Sequence, residues 1–185
     1  MITKPIKISV IGPAGRMGAR VVELINAAQD LTLFSVLVRS VEQFDWSAQG
    51  IGGDCIVTDE SATALNGADV MIDFTAPASC GWLAAQCAES GVAYIVASTG
   101  LSEADQRILN SAATEIPVLE AANLSYGVNV LLELVRLASQ RLEGFDPEIF
   151  EIHHRYKRDA PSGTAYALGK AVEAGREGTE EVLAR

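Results

Sequence analysis

Ile6-Lys-Ile-Ser-Val-Ile-Gly-Pro-Ala-Gly-Arg-Met-Gly18 decides the fold. Ile6–Ile11 is a short run rich in β-branched side chains, which suit a strand, and Gly12 stops it. Gly12, Gly15 and Gly18 follow at G-x-x-G-x-x-G spacing, while residues 16–28 carry Met17, Val21, Leu24, Ile25 and Ala28 at helical spacing. Strand, glycine turn and helix in this order suit a pyrophosphate. Glycines permit the tight turn, and the helix N-terminus offers free N–H groups to an anion. The spacing departs from the common G-x-G-x-x-G because Pro13-Ala14 sets the second glycine one place later. Such a turn can also be purely structural; its place at the head of an α/β chain favours dinucleotide binding.

Outward from this turn, strand and helix alternate. Strand-like runs cover residues 31–38, 55–58, 70–74, 93–97 and 118–119, with a polar loop over 40–54. Helical patterns cover 78–90, punctuated by Gly91, and a segment capped by Ser102 with Glu103 and Asp105 at its positive end. Short apolar strands alternating with longer helices predict a Rossmann-like, doubly wound parallel α/β sheet. It forms a dinucleotide-binding domain over residues 1–124. Residues 125–185 read as the start of an α+β substrate-binding and oligomerisation domain. Val128, Leu131, Leu132, Val135, Ala138 and Leu142 form one stripe of a helix over 128–142 that Gly144 ends. Residues 148–156 read as a strand and 165–174 as a helix. One strand with no partner is not a complete domain, so the chain is expected to stop inside it.

The residue after the second strand selects the nicotinamide cofactor. Val38-Arg39-Ser40 stands where an acidic residue would bond a ribose 2′-hydroxyl. A guanidinium suits a 2′-phosphate instead, so NADPH is expected in preference to NADH. Arg39 as a plain surface charge is the alternative.

Both histidines lie in Glu151-Ile-His-His-Arg-Tyr-Lys-Arg-Asp-Ala-Pro-Ser-Gly-Thr-Ala165, with Arg155, Lys157 and Arg158, in a chain of formal net charge −10. Cations and imidazoles gathered ahead of a helix-opening Ser-Gly-Thr suggest an anionic ligand, although charge alone equally fits a solvated basic strand end. If 148–157 is extended, His153, Arg155 and Lys157 share one face and His154 and Tyr156 the other. A site using both histidines therefore requires a bend.

Bulk properties narrow the classes. An acidic chain without an extended basic face disfavours nucleic acid as a partner. No apolar run is long enough to cross a bilayer and no signal-peptide core follows the N-terminus, so a soluble, cytoplasmic protein is expected. Cys55, Cys80 and Cys87 are too sparse for a disulfide framework and lack zinc spacing, so they read as buried thiols and no metal site is expected.

Five motifs, in order along the whole chain, make it resemble the dihydrodipicolinate (4-hydroxy-tetrahydrodipicolinate) reductase family of diaminopimelate and lysine biosynthesis. They are Gly12-x-x-Gly-Arg-Met-Gly18, Ile72-Asp-Phe-Thr75, Ser98-Thr-Gly100, Asn123-Leu-Ser-Tyr-Gly-Val-Asn129 and Glu151-x-His-His-x-x-Lys-x-Asp-Ala-Pro-Ser-Gly-Thr-Ala165. The last is highly specific; the first is not. The resemblance implies NAD(P)H-dependent reduction of 4-hydroxy-tetrahydrodipicolinate, a small dicarboxylate, to tetrahydrodipicolinate. It implies His153 as acid/base and Lys157 as proton donor, with His154, Ser162, Gly163 and Thr164 holding the substrate carboxylates. Gly12, Pro13, Ala14, Gly15, Arg16 and Met17 would cradle the pyrophosphate, and Arg39 would face the ribose. Ala97, Ser98, Thr99, Ala121, Ala122, Asn123 and Leu124 would line the nicotinamide side. Ala97 replaces the family's usual glycine, which would tighten that pocket. Family members are tetramers through the second domain and continue beyond the equivalent of Arg185. A cofactor-binding fragment without turnover is accordingly the alternative. A different aldehyde or sugar dehydrogenase is disfavoured, since no Lys-Pro pair occurs after Lys4-Pro5.

Arg39→Ala should weaken NADPH and leave NADH nearly unchanged in binding titrations; equal loss for both would remove the 2′-phosphate role.

Overall fold

The computed structural model describes residues 4–46, 50–121, 123–155, 157 and 160–176. They divide into two units, residues 1–121 and 122–185.

The first unit is built on six strands: β1 (Ile6–Ile11), β2 (Leu31–Leu37), β3 (Ile56–Thr58), β4 (Val70–Asp73), β5 (Ala93–Val96) and β6 (Val118–Glu120). All pairs are parallel, in the order β3-β2-β1-β4-β5-β6. This is the doubly wound sheet that the alternation predicts. Its helices are α1 (Arg16–Ala27), α2 (Ser61–Leu65), α3 (Pro77–Ser90) and α4 (Glu103–Ala112). The order reverses direction between β1 and β4, the position where loops on either side can diverge to admit a ligand. Register then aligns the strand ends. Ile11 lies opposite Leu37 and Asp73, Asp73 opposite Val96, and Val96 opposite Glu120. The loops beginning at Gly12, Val38, Phe74, Ala97 and Ala121 therefore leave the sheet along one edge.

Apolar packing covers both faces. Ile8, Val10, Leu33 and Val36 pack with Val22 and Ile25 of α1, whereas Met71, Tyr94 and Val96 pack with Leu83, Cys87 and Leu109 from α3 and α4. The buried hydroxyls of Ser9 and Ser35 lie 2.7 Å apart, and Ser35 Oγ also lies 2.7 Å from the Ala64 carbonyl of α2. Buried polar groups on the sheet are thereby satisfied. Gly91 ends α3 in the left-handed region at φ 67°, and Ser102 caps α4 by accepting from the Asp105 N–H at 3.1 Å. All three cysteines are free and buried, as expected.

The second unit contributes α5 (Tyr126–Arg141) and α6 (Gly163–Gly175). They pack closely: Ser139 Oγ donates to the Val172 carbonyl at 2.8 Å, and a β-carbon on Gly175 would lie 2.3 Å from the Arg136 carbonyl oxygen. The covered stripe is Val128, Leu132, Val135 and Ser139, spaced at helical intervals. Leu131, Ala138 and Leu142, which the sequence placed on the same stripe, are exposed.

Two further expectations are corrected. Residues 148–155 are not a strand; among the described residues the second unit has none, and Tyr156 lies outside them. The alternating side chains there favour a strand, but ladder hydrogen bonds need a neighbouring strand. Nor does Gly144 cap α5. The helix ends at Arg141 with Leu142 as its C-cap residue, and the Arg176 guanidinium donates to the carbonyls of Leu142, Glu143 and Phe145 at 3.4, 3.3 and 2.8 Å.

Gly18 seats α1 on its turn, because a β-carbon there would lie 2.2 Å from the Gly12 carbonyl oxygen. Gly18→Ala should cost about 1–3 kcal/mol in urea denaturation, the scale of overpacking a close contact. Gly53→Ala, with nothing within 4 Å of the added carbon, is the control expected to change little; equal effects would remove the packing argument.

Candidate functional site

In the first unit, chemistry is concentrated on the edge where the strands end. Gly12 takes φ 73°, a conformation open to glycine at little cost, and its carbonyl accepts from the Gly15 N–H at 3.1 Å. Gly15 is the N-cap of α1 and supplies no side-chain acceptor, so the first-turn N–H groups are left for an outside acceptor. Pro13 is buried, while Ala14, Gly15, Arg16 and Met17 face solvent around the turn. The turn therefore presents backbone donors, and its close-packed positions have no β-carbons.

Arg39 is exposed two residues beyond the end of β2 on the same edge, anchored by the Val38 N–H donating to the Thr58 carbonyl at 2.9 Å. Ala97 and Ala121 are held where β5 and β6 end, by their N–H groups donating to the Asp73 and Val96 carbonyls at 3.1 and 3.0 Å. Ser98 is buried and donates its hydroxyl to the Thr75 carbonyl at 2.7 Å, while Thr99 is exposed. Thus the residues expected around a nucleotide from Gly12 to Ala121 share one edge. Ala122 lies outside the described residues. Asn123 and Leu124 belong to the second unit.

There, Asn123 Nδ2 donates to the Thr164 hydroxyl at 3.1 Å, and its Oδ1 accepts from the Ser125 N–H at 2.8 Å. Asn129 Nδ2 donates to the Asn123 and Ser125 carbonyls at 3.0 and 2.9 Å. Asparagine side chains thereby tie the entry of α5 to the first turn of α6.

The histidine motif is organised by a residue that the sequence reading left without a role. Glu151 Oε1 accepts from the Ser162 N–H at 2.9 Å, Oε2 accepts from the Ser162 hydroxyl, and Oε2 lies 2.9 Å from His153 Nε2. Ser162 caps α6, where its Oγ accepts from the Ala165 N–H at 3.0 Å. The Ser162 hydroxyl first, then the His153 contact and the Ser162 N–H, hold the Glu151 carboxyl down at about 2. An ionised carboxylate only accepts, so Nε2 of His153 carries the proton in this pair and Nδ1 is the nitrogen left for other work. The signal for Glu151 was present: it shares a strand-like face with His153, two residues on.

His153 and His154 are both exposed, and Lys157 is half-buried. The Lys157 N–H donates to the His154 carbonyl at 3.1 Å, closing a turn that begins at the second histidine. Tyr156, Arg158 and Asp159 lie outside the described residues. Ser162 is buried, and Gly163 and Thr164 open α6 with its first-turn donors. Among the described residues no group of three or more His, Cys, Asp or Glu is placed to hold a metal ion, and no helix is long and apolar enough to cross a membrane.

Comparison with known proteins covers both units. Residues 6–124 match the family "Dihydrodipicolinate reductase, N-terminus", and residues 127–184 match "Dihydrodipicolinate reductase, C-terminus". A 4-hydroxy-tetrahydrodipicolinate reductase of Thiobacillus denitrificans is 42% identical over 173 residues, covering 90% of this chain and 64% of that protein. One from an Anaeromyxobacter species is 44% identical over 183 residues, covering 95% and 66%. The chain thus spans just under two thirds of these relatives' length. Among solved structures, a dipicolinate-bound dihydrodipicolinate reductase from Paenisporosarcina sp. TG-14 superposes with a TM-score of 0.77 at 22% identity, over 96% of this chain and 69% of that one. A myo-inositol 2-dehydrogenase from Lactobacillus plantarum gives 0.57 at 14% identity, over 71% and 41%. Both likenesses concern the fold alone.

The depressed carboxyl predicts a pH signature. Glu151 is held in the folded protein at about 2, below its ordinary 4.5. Its contribution to stability is therefore complete above the ordinary value and lost as pH falls through that window towards the folded one. Glu151→Gln should lower the urea midpoint at neutral pH, and its gap from the native chain should close on acidification. A gap independent of pH would assign the loss to something other than the ionised carboxylate.

Proposed function

This chain belongs to the dihydrodipicolinate reductase family, and from that premise we propose that it reduces 4-hydroxy-tetrahydrodipicolinate to tetrahydrodipicolinate at the expense of a nicotinamide cofactor, the 4-hydroxyl group leaving as water. The observation that carries the proposal is the Glu151 cluster, which fixes His153 and the capped start of α6 within one hydrogen-bonded group. A carboxylate-oriented imidazole beside a helix N-terminus can move a proton while it receives an anion. The dipicolinate bound to the Paenisporosarcina relative supports a planar dicarboxylate as the substrate class.

The uncapped first turn of α1 and the glycine turn packed against it fit a dinucleotide, which Gly12 to Met17 would hold by its pyrophosphate and Arg39 by a 2′-phosphate. When bound, its dihydronicotinamide supplies the hydride for reduction. The chain's own residues do the rest. Ala97, Ser98, Thr99, Ala121, Ala122, Asn123 and Leu124 serve the nicotinamide side. His154, Ser162, Gly163 and Thr164 receive the substrate carboxylates through side-chain and first-turn backbone donors. His153 and Lys157 supply positive charge and a proton as negative charge develops on the substrate ring. Glu151 keeps the imidazole of His153 in one orientation. NADPH is preferred to NADH because a guanidinium stands where an acidic residue would select the 2′-hydroxyl. The protein works in the cytoplasm as a homotetramer; the exposed Tyr126, Phe145, Phe150 and Ile152 of the second unit support self-association.

The test mixes the chain with NADPH and freshly formed product of dihydrodipicolinate synthase and follows NADPH absorbance. Substrate-dependent oxidation is expected. His153→Gln should then lower kcat by about 100-fold or more, the scale of a lost acid/base group, whereas His154→Gln should mainly raise the substrate KM. Tight NADPH binding without turnover would reduce the assignment to nucleotide binding.

A further inference from the structure

We infer that Asp73 is a positioning residue for the nucleotide-binding edge of the first unit, acting by holding Thr75 between the Gly12 turn and Ser98. The inference rests on the nucleotide-binding reading of that edge.

Asp73 ends β4 and is fully buried, at 0% exposure. Four neutral donors converge on it. Oδ1 accepts from the Thr75 N–H at 2.7 Å and the Thr75 hydroxyl at 2.6 Å. Oδ2 accepts from the Tyr94 hydroxyl at 2.6 Å and from the Cys80 thiol at 3.6 Å. Burial, then the adjacent Asp73 charge, pushes the Tyr94 phenol far above its ordinary range, so it remains a donor. Burial above all raises the Cys80 thiol to about 11, with the same result.

A buried carboxylate is costly, and four neutral donors are a large investment for a β-strand terminus that a backbone turn could close. What the arrangement fixes is Thr75. The Thr75 methyl lies 3.1 Å from where a β-carbon on Gly12 would sit, so it forms the wall behind the glycine turn. The Thr75 carbonyl accepts the Ser98 hydroxyl at 2.7 Å. One residue thus touches both the loop assigned to the pyrophosphate and the loop assigned to the nicotinamide. The three strands concerned, β1, β4 and β5, are neighbours in the sheet. Asp73, having no exposed surface, meets no ligand itself; it sets the place of Thr75, and Thr75 sets the spacing of the two loops.

The experiment measures NADPH affinity by fluorescence titration and stability by urea denaturation, on the full chain. Asp73→Ala should raise the NADPH Kd by about tenfold or more, the scale of leaving buried donors without an acceptor. Asp73→Asn should restore most of the affinity, because its oxygen can face the two Thr75 donors while its amide faces the Tyr94 hydroxyl, which can accept. Should the alanine variant not fold, Thr75→Ala, at a half-buried position, should raise the Kd in the same direction. Ile116→Ala is the control: Ile116 is a core residue preceding β6 on the opposite edge, so it should lower the urea midpoint and leave Kd unchanged. Unaltered affinity in the folded Asp73 and Thr75 variants would overturn the inference, as would an equal loss in Ile116→Ala or in Asp73→Asn. Absence of NADPH binding by the unmodified chain would overturn the reading of the edge and the inference with it.

Discussion

The approach of α1 to the turn that closes β1 is the constraint on which the first unit depends. A β-carbon at position 18 would meet the Gly12 carbonyl oxygen at 2.2 Å, so the helix can start where it does only because none is present. That start places uncapped N–H groups at the sheet edge, beside the reversal of strand order between β1 and β4. Parallel register then carries the loops after β2, β5 and β6 to the same edge. One steric allowance, together with register, gathers backbone donors and these loops along a single edge.

Two carboxylates fix the loops that the glycine contact does not reach, and their surroundings differ. Asp73 is sealed from water and must be satisfied by protein donors, since an unpaired charge there would cost far more than the strand end could recover. Glu151 is partly exposed, so water can replace lost partners, and its value lies in geometry: both oxygens hold Ser162, and Oε2 also meets His153. Burial decides the first case and orientation the second. In both, an acidic side chain with two accepting oxygens gathers donors from separate segments of the chain.

This difference explains how much could be read from the chain. The sheet was legible because parallel strands buried on both faces are short apolar runs, and crossover helices carry their own period. Only α2, five residues long, is too short to show that period. The Gly12 turn and Arg39 were legible for the same reason, being fixed by position relative to a strand. Residues 148–156 misled because Ile149, Glu151 and His153 alternate as a strand would. Alternation records which side chains face alike, while a strand also requires a neighbour to take its backbone bonds. Glu151 escaped because one of its partners, Ser162, lies eleven residues away across a loop. Asn123, assigned to the nicotinamide side, also bonds Thr164, forty-one residues on, a contact with no local signature.

The adjacent histidines show why the irregular segment matters. On a straight strand His153 and His154 would point to opposite faces, and only one could serve a given ligand. Here the Lys157 N–H reaches back to the His154 carbonyl and the backbone turns. The two side chains remain chemically distinct despite their identity: His153 is oriented through Nε2 by an ionised carboxylate, and His154 sits at the start of the turn. Nε2 is engaged by the Glu151 carboxylate, which leaves Nδ1 as the ring's other nitrogen. A proton-transfer group requires a fixed orientation, whereas a residue that holds an anion needs only a donor within reach. The difference between the two histidines follows from Glu151, which contacts His153 and, through Ser162, the start of α6.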